Sequence, residues 1–220
     1  MLGLLVKDYR LMLQRKRTLL TIIVIAMFMV LSFDGMEGVT FICVLGINQV
    51  VASISYDEFD HGYTFLMSLP ISRTTYVKEK YIFGALLAVL SWILGVIIAA
   101  GYGMIKIENY KVMEEVSNCL VYFPFVIAIM DIVIPFMLKY GVEKGRTIML
   151  VVGGGCLVLA YVVLEMLNKT GVLAGDASGD YGSVLDSYAG IIVGGFYGIT
   201  LLITVISVAI SIRIMKHKEF

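Results

Sequence analysis

The sequence predicts an all-α polytopic membrane protein with six transmembrane helices, both termini in the cytoplasm and an N-terminal amphipathic helix at the membrane surface. Three observations carry this. First, 60% of the 220 residues are hydrophobic and only 15% are charged, against ~25% charged in an ordinary soluble domain, and mean hydropathy is +0.93. Too few polar side chains exist to clothe a soluble protein of this size, and a disordered chain is excluded on the same ground. Second, the apolar residues fall in runs long enough for a helix to cross ~30 Å of hydrocarbon, which takes ~20 residues. Barrel strands would be ~10 residues long and alternate polar with apolar; these runs are longer and apolar all round. Third, Lys and Arg are divided very unequally between alternate loops. With 17 basic and 17 acidic residues the net charge is zero, which leaves no basic excess for nucleic acid.

The N-terminal segment 1–17 comes first. Leu2, Leu5, Val6, Tyr9, Met12 and Leu13 recur at helical spacing, with Lys7, Arg10, Gln14 and Arg17 opposite, while Leu4 and Leu11 fall off the stripe. This pattern predicts a helix lying in the headgroup region; the plainer alternative is a solvated basic tail. No small-x-small site follows the first apolar run, so a cleaved leader is not predicted. The first span, about 18–33, is short, and snorkelling of Arg15, Lys16 and Arg17 would extend it. The turn Asp34–Gly38 makes it a tight hairpin with the second span, about 38–56. The third span is about 81–105 and the fourth about 116–138. The fifth is about 147–167, built on the apolar run Thr147–Leu164, and the sixth about 187–212. Isolated helices satisfy their own backbone hydrogen bonds, as the bilayer demands. No linker divides the chain, so residues 1–220 form one domain.

Fourteen of the 17 Lys and Arg lie in the N-terminus, the second and fourth loops and the C-terminus; only Lys106, Lys111 and Lys169 lie on the other side. The positive-inside rule then places both termini in the cytoplasm, as an even number of spans requires. Cys43, Cys119 and Cys156 sit on separate spans and give no disulfide framework.

Catalytic motifs are missing. His61 and His217 are the two histidines, both in cytoplasmic segments, so a Ser–His pair at membrane depth is excluded. No zinc His-Glu-x-x-His motif, no Gly-x-Ser-x-Gly elbow and no P-loop occurs. The chain is therefore predicted not to be an enzyme and to hold no cofactor or metal. Work against a gradient would draw on an ion gradient or on ATP hydrolysed by another chain.

The cytoplasmic loop 57–80 holds acids (Asp57, Glu58, Asp60), then Phe59, Tyr63, Phe65, Leu66, Met67 and Leu69, then Pro70. Ser72 is placed as the N-cap of a helix running into the third span. Aromatic and apolar residues on such a loop point either to a docking surface for a soluble partner or to packing on the bundle itself.

The sequence Ser55-Tyr56-Asp57-Glu58, followed by Ser68-Leu69-Pro70-Ile71-Ser72-Arg73, Tyr76-Val77 and Lys80-Tyr81, resembles the signature of small ABC-2 type transporter permeases, in which it follows the second span. The resemblance implies that two six-span chains pair, identical or homologous, and that each engages a cytoplasmic ATPase subunit that binds ATP and Mg. It implies an ATPase-coupling segment at Tyr56, Asp57, Glu58, Phe59, Leu69, Pro70, Ile71, Ser72 and Arg73. A smaller contact falls in the loop Lys139–Arg146, at Lys144. It also implies export of amphipathic or antimicrobial peptides across a bacterial plasma membrane, and an outer lid in the region 168–187, whose Gly, Asp and Ser content equally allows a plain loop.

Several polar and small residues lie within the spans. Asp131 is the one formal charge well inside a span, costly at ~3 kcal/mol at the bilayer centre. It reads either as part of a translocation path or as a group hydrated near the inner surface, eight residues or ~12 Å of helix from Lys139. Pro124 and Pro135 flank it and free backbone carbonyls. Asn48 and Gln49 line a path or bond to neighbouring helices. Glu165 lies near the outer end of the fifth span. Gly190, Gly194 and Gly198 form a ridge for close helix packing, within the bundle or between chains, and Gly153–Gly155 repeat the theme. Two other functions stay open at this level: an ion-coupled transporter using Asp131, and a non-transporting assembly or immunity factor.

Overall fold

The computed structural model describes residues 1–32, 35–59, 62–68, 70–106, 112–147 and 181–218. Among them the chain is helical, without a strand. The elements are α1 (Leu2–Gln14), α2 (Lys16–Ser32), α3 (Gly35–Glu58), α4 (Gly62–Ser68), α5 (Arg73–Lys106), α6 (Val112–Tyr140), α7 (142–147) and α8 (Tyr181–His217). Four stretches are long and apolar enough to cross a membrane: Gly38–Glu58, Arg73–Lys106, Cys119–Tyr140 and Val193–His217. These match the second, third, fourth and sixth expected spans. α2 occupies the first expected span but has 17 residues, short of the ~20 a bilayer core needs. The fifth expected span, with Gly153–Gly155, Cys156 and Glu165, lies outside the described residues.

α3 is the central helix. It buries Val39, Ile42, Cys43, Ile47, Val50, Val51 and Ile54 against α2, α5 and α6. Glycine sets the close approaches. A Cβ at Gly46 would lie 2.1 Å from Ser91 Oγ on α5, one at Gly84 2.5 Å from Met130 Sδ on α6, and one at Gly95 3.1 Å from Val39 Cγ1 on α3. Small residues therefore let backbones approach, but on α3 and α5 rather than on the expected ridge. A Cβ at Gly194 or Gly198 would meet nothing within 4 Å among the described residues. Gly190 lies on α8 where side-chain surroundings are not described.

α1 forms over the expected segment. Leu2, Val6, Tyr9 and Leu13 of its apolar stripe face away from the bundle, with Leu2 79% and Tyr9 53% exposed, while Leu5 and Met12 pack against the core and Leu4, off the stripe, is buried together with Asp8. The helix thus presents an apolar face away from the bundle and pushes a carboxylate into it.

The prolines of α6 explain how it binds α8. Proline lacks an N–H, so the carbonyl four residues earlier loses its helical donor. For Pro124 that carbonyl is Leu120 O, which accepts from Tyr197 Oη at 2.7 Å. For Pro135 it is Asp131 O, which accepts from Ser207 Oγ. Both freed carbonyls are filled by hydroxyls of α8, as an apolar surrounding requires.

Candidate functional site

α5 begins eight residues before the charge-free run 81–105, at the end where the 57–80 loop joins α3 and α5. α5 has 34 residues, ~51 Å of helix, against ~30 Å of hydrocarbon. Its start is set by Ser72, whose Oγ accepts from Thr75 N at 3.1 Å, the N-cap that the sequence predicts. This start places Tyr76, Glu79 and Lys80 beside the end of α3, and α1 packs across both.

A buried charge cluster results. Lys80, with no exposed side-chain surface, contacts Asp57 Oδ2 at 2.7 Å and pairs with Asp8 Oδ2. It also donates to Ser53 Oγ at 2.6 Å, and Ser53 donates to Asp8 Oδ2 at 2.6 Å. Tyr76 Oη donates to Asp57 Oδ2 at 3.0 Å. Lys7, from α1, pairs with Asp57 Oδ1 and lies 3.1 Å from Asp8 Oδ1. Burial pushes the Asp8 carboxyl up, but the Lys80 charge, hydrogen bonds from Lys80 and Ser53, and the Lys7 charge outweigh it and hold the group below its ordinary value. Glu79 is fully buried, its Oε2 3.7 Å from Lys80 Nζ, and neither of its oxygens has a hydrogen-bond partner among the described residues. Two ammonium groups face three carboxyls here. Electroneutrality in a buried site assigns the proton to Glu79, the carboxyl least served by donors.

Around this cluster two loops meet. Glu58 Oε2 accepts from Val142 N at 2.7 Å, at the first turn of α7, where a carboxylate suits both the free N–H groups and the helix dipole. The approach needs Gly141, which has φ +76° and whose added Cβ would lie 2.4 Å from Glu58 Oε1. The result is a groove of about 550 Å³ lined by Ser55, Glu58, Phe59, Tyr140, Val142 and Lys144. On α4, Phe65 points outward, 69% exposed, while Tyr63 and Leu66 pack inward. Tyr63 meets Tyr76 edge to face at 5.8 Å.

The expected coupling residues thus divide. Glu58, Phe59 and Lys144 come together at the groove. Asp57 does not join them. It is 4% exposed, an internal ion-pair partner rather than a surface acid, because α1 covers the end of α3. Tyr56 lies under the Arg15 guanidinium, 4.0 Å from ring centre to Cζ. Pro70 is exposed, Ile71 half-buried, and Leu69 lies outside the described residues. Arg73 turns away from the groove, and its Nη1 donates to the carbonyls of Met215, Lys216 and Lys218 at the end of α8.

The expected path residues also divide. Asn48 and Gln49 line a cavity with α1 and α2. Asp131 lies on another face, between α6 and α8. It is 3% exposed, with Oδ2 accepting from Thr204 Oγ1 at 2.7 Å. It lines a cavity of about 440 Å³ between α6 and α8 that extends to Lys139 and Tyr140, and its Oδ1 has no hydrogen-bond partner among the described residues. Sequence reasoning missed Asp8, Ser53 and Glu79, and placed Lys80 only as a residue of the signature, not as a buried charge. The available signal was Asp8 itself, a carboxylate in helical register with Leu4, Leu11 and Met12.

The chain matches the family described as ABC-2 family transporter protein over residues 3–216. The chain belongs to this ABC-2 family. No curated protein and no solved structure matches it. As an ABC-2 permease it is a membrane transport component and not itself catalytic, and the family implies an ATPase partner and a lipid bilayer. The charge cluster and the two-loop groove therefore occur in a transport subunit.

Proposed function

We propose that this permease is the six-span membrane subunit of an ATP-driven exporter, with both termini cytoplasmic in a bacterial plasma membrane. It pairs with a second permease chain, identical or homologous, and two ATPase subunits dock on the pair. Amphipathic or antimicrobial peptides are the cargo class. The observation that carries the reading is the joining of the loops after α3 and α6 by Glu58 and Gly141 into one groove flanked by exposed Phe59 and Lys144. A partner seated there would press on two loops at once. Movement of α4 would pass to α5 and α3 through the charge cluster and to α8 through Arg73. The test is co-purification with the ATPase subunit. Phe59→Asp with Lys144→Glu should cut complex formation and export while the permease stays folded. Full transport by the chain alone on an ion gradient would refute the reading. The ion-coupled alternative would rest on Asp131, whose Oδ2 accepts from Thr204 and which lies apart from Asn48 and Gln49; transport abolished by Asp131→Asn with ATPase partners irrelevant would favour it.

A further inference from the structure

A second cavity, of about 270 Å³, opens between α1, α2 and α3. Two arginines line it, Arg15 from the α1–α2 junction and Arg146 from α7. Among the described residues neither side chain has an ion-pair or hydrogen-bond partner, and both border this space, Arg146 bordering the groove beside Glu58 as well. Arg15 is not loose. Its guanidinium lies over the Tyr56 ring, 4.0 Å from Cζ to the ring centre, a cation–π contact that holds it at the cavity. Asp8 also borders the cavity, but its charge is committed to Lys80 and Lys7.

Polarity changes with depth. Tyr56 and the arginines lie at the loop end, while Asn48 and Gln49 lie about two turns, ~12 Å, further along α3, with Ile22 and Phe83 also on the wall. A cationic mouth, a polar middle and apolar walls fit a molecule that carries a phosphate, then ester oxygens, then hydrocarbon. A free phosphate would use only the mouth.

We propose that this cavity binds the phosphate headgroup of an anionic phospholipid from the leaflet facing the 57–80 loop. Arg15 and Arg146 take the phosphate oxygens through bidentate bonds, and Thr18, Asn48 and Gln49 meet the glycerol and ester oxygens. Basic pockets between spans on the cytoplasmic side are suited to such headgroups. Assignment to the inner leaflet rests on the orientation proposed above; the binding chemistry does not.

The test is native mass spectrometry of the delipidated full chain, titrated separately with phosphatidylglycerol, phosphatidylcholine and inorganic phosphate. Phosphatidylglycerol should be preferred over phosphatidylcholine. Each arginine contributes roughly fivefold, from its attraction to anionic lipid, so Arg15→Gln with Arg146→Gln should erase ~25-fold. Arg15→Lys with Arg146→Lys, which keeps charge and fold but not the fork, should retain part of the preference. Lys16→Gln with Arg17→Gln, exposed and outside the cavity, should retain all of it. Equal binding of both lipids, or a loss as large in the Lys16/Arg17 pair, would overturn the site. Displacement of phosphatidylglycerol by millimolar inorganic phosphate would overturn the lipid assignment in favour of a soluble anion. Export and ATPase binding are not read, so failure here is distinct from failure of the exporter reading.

Discussion

Lys80→Met tests the charge cluster most directly. The substitution keeps the unbranched stem and deletes the ammonium. In the native protein that ammonium lies 2.7 Å from Asp57 Oδ2 and also pairs with Asp8. At an effective dielectric constant of about 20, one such contact is worth about 6 kcal/mol of Coulomb attraction, and desolvation of the ions offsets much of it. Removing one partner of a buried pair typically costs about 3–5 kcal/mol. Lys7 remains beside both carboxylates, which favours the lower end, about 3 kcal/mol. At about 2–4 °C per kcal/mol for a chain of this size, melting should fall by roughly 6–12 °C. Cys43 and Cys119 are buried free thiols, so a maleimide dye in detergent reports unfolding as they emerge. Two companions sharpen the reading. Glu79→Gln should shift melting little, because that carboxyl is assigned as already neutral. The triple variant Lys80→Met, Asp8→Asn, Asp57→Asn should recover most of the loss, since no unpaired charge stays buried. A Lys80→Met shift below 2 °C, or a triple variant as unstable as the single one, would refute the account.

Three further outcomes are expected. Because the folded pKa of Asp8 is depressed, its stabilisation is complete above the ordinary carboxylate value of 3.8 and is lost as pH falls through the lower folded value; melting should decline at acid pH, less so in Asp8→Asn. Gly141→Ala forces a side chain into a left-handed backbone at φ +76°, about 1–2 kcal/mol, and pushes Glu58 off Val142; melting should drop by roughly 2–8 °C, with ATPase coupling impaired beyond that of a stability-matched core variant. Ser207→Ala leaves Asp131 O without a donor, at a cost of about 1–3 kcal/mol, and also removes the Tyr81 contact; in a Pro135→Ala background the restored helical N–H should remove the carbonyl's share and leave only the Tyr81 share, read by a double-mutant cycle.

What the sequence made legible was what depends on local pattern. The spans around 38–56, 81–105, 116–138 and 187–212 follow from charge-free runs, and the start of α5 follows from Ser72. Pro124 and Pro135 announced two freed carbonyls. The partners, Tyr197 and Ser207, are more than 70 residues away, and no local rule connects them. Asp57 misled for the same reason. In sequence it belongs to an acidic loop, and only the packing of α1 over the end of α3 turns its carboxylate inward. Lys80 reads as one more cytoplasmic basic residue until helix length is considered: a 34-residue α5 must run alongside α3 beyond the apolar region, and there a charge can be buried only if countercharges are buried with it.

The two ends of the bundle are held by different physics. At the loop end, α1, α3 and α5 share directional ion pairs, Glu58 fixes α3 to α7, and Arg73 grips three carbonyls at the end of α8. Each bond has one acceptable geometry, so the register of those helices is fixed there. Toward the other end the contacts between α2, α3 and α5 are small and apolar: Gly38 against Val30, Gly95 against Val39. Apolar contacts lack direction, and lipid tails replace them at little cost because hydrocarbon is as apolar as the side chains they would displace. Under the proposed coupling, a load at α4 would move the ion-paired end as a unit and be taken up by the apolar contacts between α2, α3 and α5, while Trp92 on Cys119 O and Tyr197 on Leu120 O still tie α5 and α8 to α6 at the far end. The ion pairs are costly to assemble in an apolar bundle, and uniform apolar packing would hold the helices as well. What such packing would lack is the contrast in stiffness on which the proposed coupling depends.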